Sequence, residues 1–232
     1  MEIKENQHHI MLFPWLAFGH VIPFLELSKS LASKGCEATV DLKDEEKTQY
    51  LKKAYDELQA PVELLLIRFK PDLIIYDLIN CWIPDVGTKI NIPTAFFSVY
   101  STPMLAYAGP PSEDKESNSN HRRTPQDFVQ VPGWISFAST VSYRLHEAII
   151  MSKHINNPDI TGLSTSQRHA KAVRGCNFIL ARSCIEFGGD YLNLLGDFYQ
   201  KPVIPIGLLP PPAQSLATKA SDNSAKSSDS EI

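Results

Sequence analysis

Pro71–Tyr100 reads PDLIIYDLINCWIPDVGTKINIPTAFFSVY and holds two short apolar runs, PDLIIYDL (Pro71–Leu78) and PTAFFSVY (Pro93–Tyr100), each opened by a proline. Runs so short and so nearly continuous in hydrophobicity read as strands covered on both faces, and such strands make a buried parallel sheet. The pattern recurs outward along the chain in HIMLFP (His9–Pro14), NFILARS (Asn177–Ser183) and PVIPIG (Pro202–Gly207).

Helical patterns lie between these runs. Phe24, Leu27 and Leu31 recur at i, i+3 and i+7 in PFLELSKSLASKG, and Gly35 follows as a C-terminal stop. Leu51, Ala54, Tyr55 and Leu58 repeat that spacing up to Pro61, where a break or kink is expected. Ser164 with Gln167 predicts a capping box on a helix running to Gly175. Trp134–Ile155 reads as another helix, and Tyr191, Leu194 and Leu195 as the apolar side of a last one. Strands alternating with helices predict an α/β fold, a doubly wound Rossmann-like parallel sheet flanked by helices.

Two stretches stand outside this order. AGPPSEDKESNSNHRRTPQD (Ala108–Asp127) is polar and proline-rich, a long loop that is either functional or disordered. PPPAQSLATKASDNSAKSSDSEI after Leu209 has almost nothing to bury. The expected organisation is therefore a folded domain over 1–209 and a linker or tail over 210–232.

The 232 residues, 43% hydrophobic and 21% charged, suffice for a substantial core in one or two domains. Lys plus Arg number 22 against 26 Asp plus Glu, a net charge of −4, and basic runs do not exceed pairs such as Arg122–Arg123. That balance argues against nucleic acid or an anionic membrane as partner. Ile10–Phe18 is too short to span a bilayer and leads into no cleavage site, so neither a signal peptide nor a transmembrane helix is expected. Four cysteines without a C-x-x-C fit a reducing cytosol.

In open α/β sheets ligands bind beyond the carboxyl ends of the strands. His20, in the FGH turn after the first strand, and Asp77, at the end of LIIYD, fall there. A neutral imidazole can take a proton from an alcohol while a carboxylate on its other nitrogen fixes the tautomer. The same residues read equally as a helix cap and a strand-end cap. Phosphate-loop, dinucleotide and G-x-S-x-G fingerprints are absent from the sequence. His8 and His9 are adjacent, and His146 and His154 are eight apart, so neither pair has zinc-ligand spacing. Trp15, in the loop after the first strand, either lines a pocket or simply packs.

The stretch HHIMLFPWLAFGHVIPFLELSKSLASKG resembles the opening of plant family-one UDP-dependent glycosyltransferases, and further matches follow. They are YLKKAYDELQAPV, KPDLIIYDLINCWIPDVGTKINIPTAFFSVYSTPMLAY, RRTPQDFVQVPGWISF and RGCNFILARSCIEFGGDYLNLLGDFYQKPVIPIGLLPPP, which together span nearly all of 8–212. The likeness is greatest to the branch that extends the sugar of flavonoid, triterpenoid or steroid glycosides, rhamnosyltransferases included. It implies the N-terminal, acceptor-holding half of a two-domain GT-B fold. His20 aligns with the family's catalytic base and Asp77 with its orienting carboxylate. By resemblance, His20 deprotonates an acceptor hydroxyl, which attacks the anomeric carbon of a UDP-sugar with inversion. A small-molecule glycoside is then the acceptor and the UDP-sugar a co-substrate, with no cofactor and no metal. Trp15, Phe18, Gly19, Asn80, Trp82, Tyr100 and Ser101 are the expected acceptor-binding residues, in a mostly apolar cleft.

Two departures qualify the resemblance. The donor half, with its Trp-rich start and HCGWNS-like core, is expected to be absent from these 232 residues, which hold no Trp after Trp134, so a UDP-sugar is expected to bind only where a donor domain is supplied. KGCEATVDLKDEEKTQYLKKAYDEL joins the first helix almost directly to a later one, as if a βα unit after Gly35 were missing. CEATVDL is the candidate replacement strand, although Glu37 and Asp41 suit a sheet interior poorly. Competing expectations are a non-catalytic acceptor-binding module and an unstable truncated product.

Overall fold

A computed structural model describes residues 8–40, 48–111, 122 and 124–210. Six parallel strands form one sheet in the order β2-β1-β3-β4-β5-β6. They are β1 (His9–Phe13), β2 (Glu37–Val40), β3 (Leu73–Tyr76), β4 (Thr94–Ser98), β5 (Phe178–Ala181) and β6 (Val203–Pro205). All five predicted apolar runs supply a strand. CEATVDL supplies the other, with His9 opposite Glu37 and Leu12 opposite Val40. Its predicted final residues, Asp41 and Leu42, lie outside the described residues, as does nearly all of the predicted tail.

Successive strand residues alternate between two apolar layers, which is why the runs are hydrophobic throughout. Met11, Ile74, Tyr76, Phe96 and Ile179 pack against α3 (Gln59–Phe69), α4 (Ile83–Ile90), α7 (Thr165–Gly175) and α8 (Ile185–Tyr199). Ile10, Leu12, Ile75, Ala95, Phe97 and Leu180 face the other way, onto Phe24 and Leu27 of α1 (Phe18–Ala32). Phe24 and Phe97 meet ring to ring at 4.8 Å. Gly35, with φ of 84°, turns the chain from α1 towards β2, a conformation that costs glycine least.

Helices follow the predicted periodicity with two corrections. The break expected at Pro61 falls at Leu58 instead, between α2 (Thr48–Glu57) and α3, because a proline at 61 has no N–H for the Glu57 carbonyl. Pro61 itself sits in the first turn of α3, where its missing N–H would have no intrahelical partner. Second, the helix expected over Trp134–Ile155 is only α6 (Leu145–Asn156). The Trp134 indole donates to the Ala106 carbonyl (2.9 Å) at the end of α5 (Thr102–Ala108), which pins irregular chain there. Helical geometry begins only where the Glu147 carboxylate accepts from the Arg144 amide (2.8 Å). The Ser164–Gln167 capping box forms as predicted, with Gln167 N donating to Ser164 Oγ (3.2 Å) and Ser164 N to Gln167 Oε1 (2.9 Å).

Candidate active site

β1 and β3 are neighbours inside the sheet, and the strand order departs to opposite sides from them. Their carboxyl ends thus open a crevice of the kind that binds ligands in this architecture. His20 enters it from the first turn of α1, so it belongs to a helix rather than to the predicted turn. Asp77 enters it as the residue after β3 and caps the 3-10 turn Leu78–Asn80.

Asp77 is 1% exposed and accepts from three donors. Leu78 N gives to Oδ1 (2.6 Å), while Trp15 N (3.1 Å) and His20 Nδ1 (2.7 Å) share Oδ2. Its own amide continues the sheet pattern by donating to the Phe13 carbonyl (3.1 Å). An ionised carboxylate only accepts, so in the neutral imidazole Nδ1 carries the proton and Nε2 keeps its lone pair. The helix-cap reading of His20 fails, because Ala17 holds the N-cap position of α1 and no side chain caps it, whereas Asp77 caps a turn and orients His20 at once.

Tyr100 stands over that lone pair. Its hydroxyl is 3.4 Å from His20 Nε2, and the two rings meet edge to face at 5.5 Å. Although 44% of the residue is exposed, desolvation first, and then the charge of Asp77, raise the phenol's pKa. The hydroxyl is accordingly protonated at neutral pH.

A cavity of about 470 Å³ adjoins the dyad, with Asp77 and Tyr100 on its wall. Met104 and Leu105 of α5, Met151 and Ile155 of α6, and Thr165, Ser166 and His169 of α7 line other sides. Phe128, Trp134 and Tyr143 add an aromatic wall, and the Arg122 guanidinium lies over Tyr107 (4.3 Å), Phe128 (4.5 Å) and Trp134 (5.3 Å). Arg122 Nη2 also donates to the Tyr107 carbonyl (2.6 Å). Gly109, with φ of 94°, lets the chain pass under the Trp134 ring, where an added Cβ would lie 2.7 Å from Cζ2. Burial pushes His169 down to about 4, so it lines the cavity as a neutral imidazole. Burial, then the neighbouring Tyr107, pushes the Tyr143 phenol up to about 12.

Of the seven predicted acceptor residues, Tyr100 lines this cavity. Trp15 is buried against Tyr55, ring centroids 5.2 Å apart, and Trp82 is buried in the main core. Asn80, 1% exposed, donates to the Phe13 carbonyl (2.9 Å) and so braces the crevice from within. Gly19 is exposed in the first turn of α1, and Ser101 holds the N-cap position of α5. The Phe18 side chain lies outside the described residues. Ala108–Pro111 and Arg122 of the predicted long loop contribute to the wall, and 112–121 lie outside the described residues.

Arg168 was not legible as a site residue. It is fully buried, pairs with both oxygens of Asp56 (3.0 and 2.7 Å), and donates to Thr161 Oγ1 (2.7 Å) and to the Ile79 carbonyl (3.1 Å). It thereby ties α2 and α7 to the turn that follows Asp77. Among the described residues no group of three or more His, Cys, Asp or Glu is placed to hold a metal, and no helix is long and apolar enough to cross a membrane.

No protein-family model matches the chain. UDP-glycosyltransferase 91C1 of Arabidopsis thaliana is 34% identical over a gapped alignment of 252 residues that covers 90% of this chain and 53% of that protein. The chain is homologous to plant UDP-glycosyltransferases. Among these homologues, soyasaponin III rhamnosyltransferase of Glycine max is 28% identical over 262 residues, covering 95% of this chain and 54% of that one. This glycosyltransferase homologue thus spans about half the length of the curated relatives it matches. The structure of Phytolacca americana UGT2 complexed with UDP-2-fluoro-glucose and pterostilbene superposes with a TM-score of 0.61 at 14% identity, over 92% of this chain and 57% of that chain. The fold is accordingly the Rossmann-like α/β architecture of GT-B plant glycosyltransferases.

Proposed function

We propose that this chain is the acceptor-binding half of an inverting UDP-glycosyltransferase that adds a hexosyl or rhamnosyl group to a triterpenoid or flavonoid glycoside. The observation that carries the reading is the 2.7 Å His20–Asp77 pair beside a 470 Å³ cavity of mostly apolar and aromatic side chains. Its acceptor class takes support from the soybean relative, a soyasaponin rhamnosyltransferase by name, and its chemistry from the tautomer that Asp77 favours.

His20 Nε2 accepts the proton of an acceptor hydroxyl as that oxygen attacks the anomeric carbon. The new C–O bond forms on the face opposite the breaking bond to UDP, and UDP leaves with the bonding pair. Asp77 stabilises the imidazolium that results. General-base assistance of this kind is worth ~10²–10⁴ in rate. The step as written uses the UDP-sugar as co-substrate and calls on no metal or cofactor. The free thiols of Cys36, Cys81, Cys176 and Cys184 suit the cytosol as its setting.

Holding the anomeric carbon at attack distance contributes ~7–11 kcal/mol through proximity and orientation. Residues 1–232 carry no glycine-rich phosphate turn, so on their own they are expected to bind an acceptor without transferring sugar. The test is an NMR titration of the 232-residue protein with a triterpenoid monoglucoside and a flavonol monoglucoside, alongside calorimetry with UDP-glucose. Shift changes at Tyr100, Met104 and Trp134 with no heat from UDP-glucose are the expected outcome. Shifts confined to the opposite end of the sheet would sink the acceptor assignment, and His20-dependent turnover by the isolated chain would sink the division of labour.

A further inference from the structure

Tyr100 is common to the dyad and the cavity. Its ring packs edge to face on His20, its hydroxyl lies 3.4 Å from Nε2, and it lines the cavity, which His20 itself does not. A molecule in the cavity therefore reaches Nε2 past the phenol. Because Nδ1 donates to Asp77, Nε2 offers a lone pair, and the phenol facing it is the donor. At 3.4 Å that bond is long and weak, so an alcohol bringing its own O–H to Nε2 displaces it at little cost.

We infer that Tyr100 positions the acceptor: when an acceptor hydroxyl takes over Nε2, the phenol turns its proton onto that hydroxyl's oxygen. The inference rests on the reading of the cavity as the acceptor site. The acceptor oxygen is then held by two hydrogen bonds, one donated to His20 and one received from Tyr100. Two fixed directions leave one lone pair free to point out of the crevice, and that is the pair that attacks. Tyr100 breaks and forms no covalent bond, and its proton stays on the phenol throughout.

The experiment uses the 232-residue protein with ¹⁵N-labelled histidine, as wild type and as Tyr100→Phe, which keeps the ring packing on His20. The probes are oleanolic acid 3-O-glucoside and quercetin 3-O-glucoside. In the free protein, Tyr100→Phe should move the His20 Nε2 resonance without lowering Tm, since only a hydrogen bond at a partly exposed position is lost. The better-bound probe should bind the variant about 3- to 10-fold more weakly, the worth of one neutral hydrogen bond. Equal or tighter binding by the variant overturns the assignment of Tyr100 and leaves the acceptor reading intact. Failure of the wild type to bind either probe overturns both. Should Tyr100→Phe lose stability, Tyr100→Leu of wild-type Tm provides the same comparison, and unweakened binding by it is equally decisive against Tyr100.

Discussion

In the crevice between β1 and β3, Asp77 directly follows a strand and His20 stands in the first turn of the helix after one, whereas the cavity beside it is lined by α5, α6, α7 and irregular chain around Arg122, Phe128 and Trp134. The crevice is made by backbone order. Parallel strands all end on one side, so a residue just after β3 and one in the first turn of the helix that follows β1 converge there. The cavity is made by packing between segments distant in sequence, such as the Trp134 indole on the Ala106 carbonyl and Arg122 over three rings. Chemistry that depends on the first region should be sensitive to single atoms. Binding that depends on the second should be sensitive to shape.

The largest effect expected is on the dyad. In a chimera joining residues 1–209 to the donor-binding half of a relative, His20→Ala should lower turnover by ~10²–10⁴-fold, the worth of a general base. Asp77→Asn should act in the same direction, because an amide in place of the carboxylate no longer stabilises the imidazolium. Near-normal kcat in a folded His20→Ala chimera would break the claim that the crevice does the chemistry.

Next in size is the clamp between the regions. Arg168→Met leaves Asp56 and Asp159 without their buried cation, and breaking one partner of a buried pair costs ~3–5 kcal/mol. Urea unfolding followed by far-UV circular dichroism measures it. A loss below ~1 kcal/mol would mean that the Asp56 pair behaves like an exposed one.

The smallest effect sharpens the contrast through two tryptophans. Trp134→Ala should weaken glycoside binding by about tenfold, in the range of a truncated aromatic anchor. Trp15→Ala should lower Tm, because its partner Tyr55 loses a ring contact, while leaving glycoside affinity unchanged. The reverse pattern in calorimetry and thermal melts would move the acceptor site from the α5–α6 side to the loop after β1.

How much of this was legible follows from that division. PDLIIYDL and PTAFFSVY declare buried parallel strands because both faces of each run are apolar, and Asp77 stands out as a carboxylate at the end of one of them. The Ser164–Gln167 box was legible for a similar reason: its chemistry is complete within four residues. Trp134–Ile155 misled because Trp134, Ser139 and Tyr143 in its first half are committed to distant partners, Ala106, Tyr191 and Phe128. Trp15 and Trp82 pack in the interior and are not on this cavity's wall, a difference the sequence does not mark, because an indole that packs and an indole that lines a cavity have the same local pattern.

The sequence by itself determined the α/β sheet, its apolar strand segments, and the placing of His20 and Asp77 near one end of it; their pairing at 2.7 Å came from the structure. Those features depend on residue type, period and connection order, all of which are local or topological. Only the tertiary structure decided that Tyr100 stands over Nε2, that Arg122 and Trp134 rather than Trp15 and Trp82 bound the cavity, and that Arg168 locks the turn after Asp77. Each of those depends on which side chains meet across tens of residues of chain, and apolar packing is non-directional, so the residues carry no mark of the partner they will find.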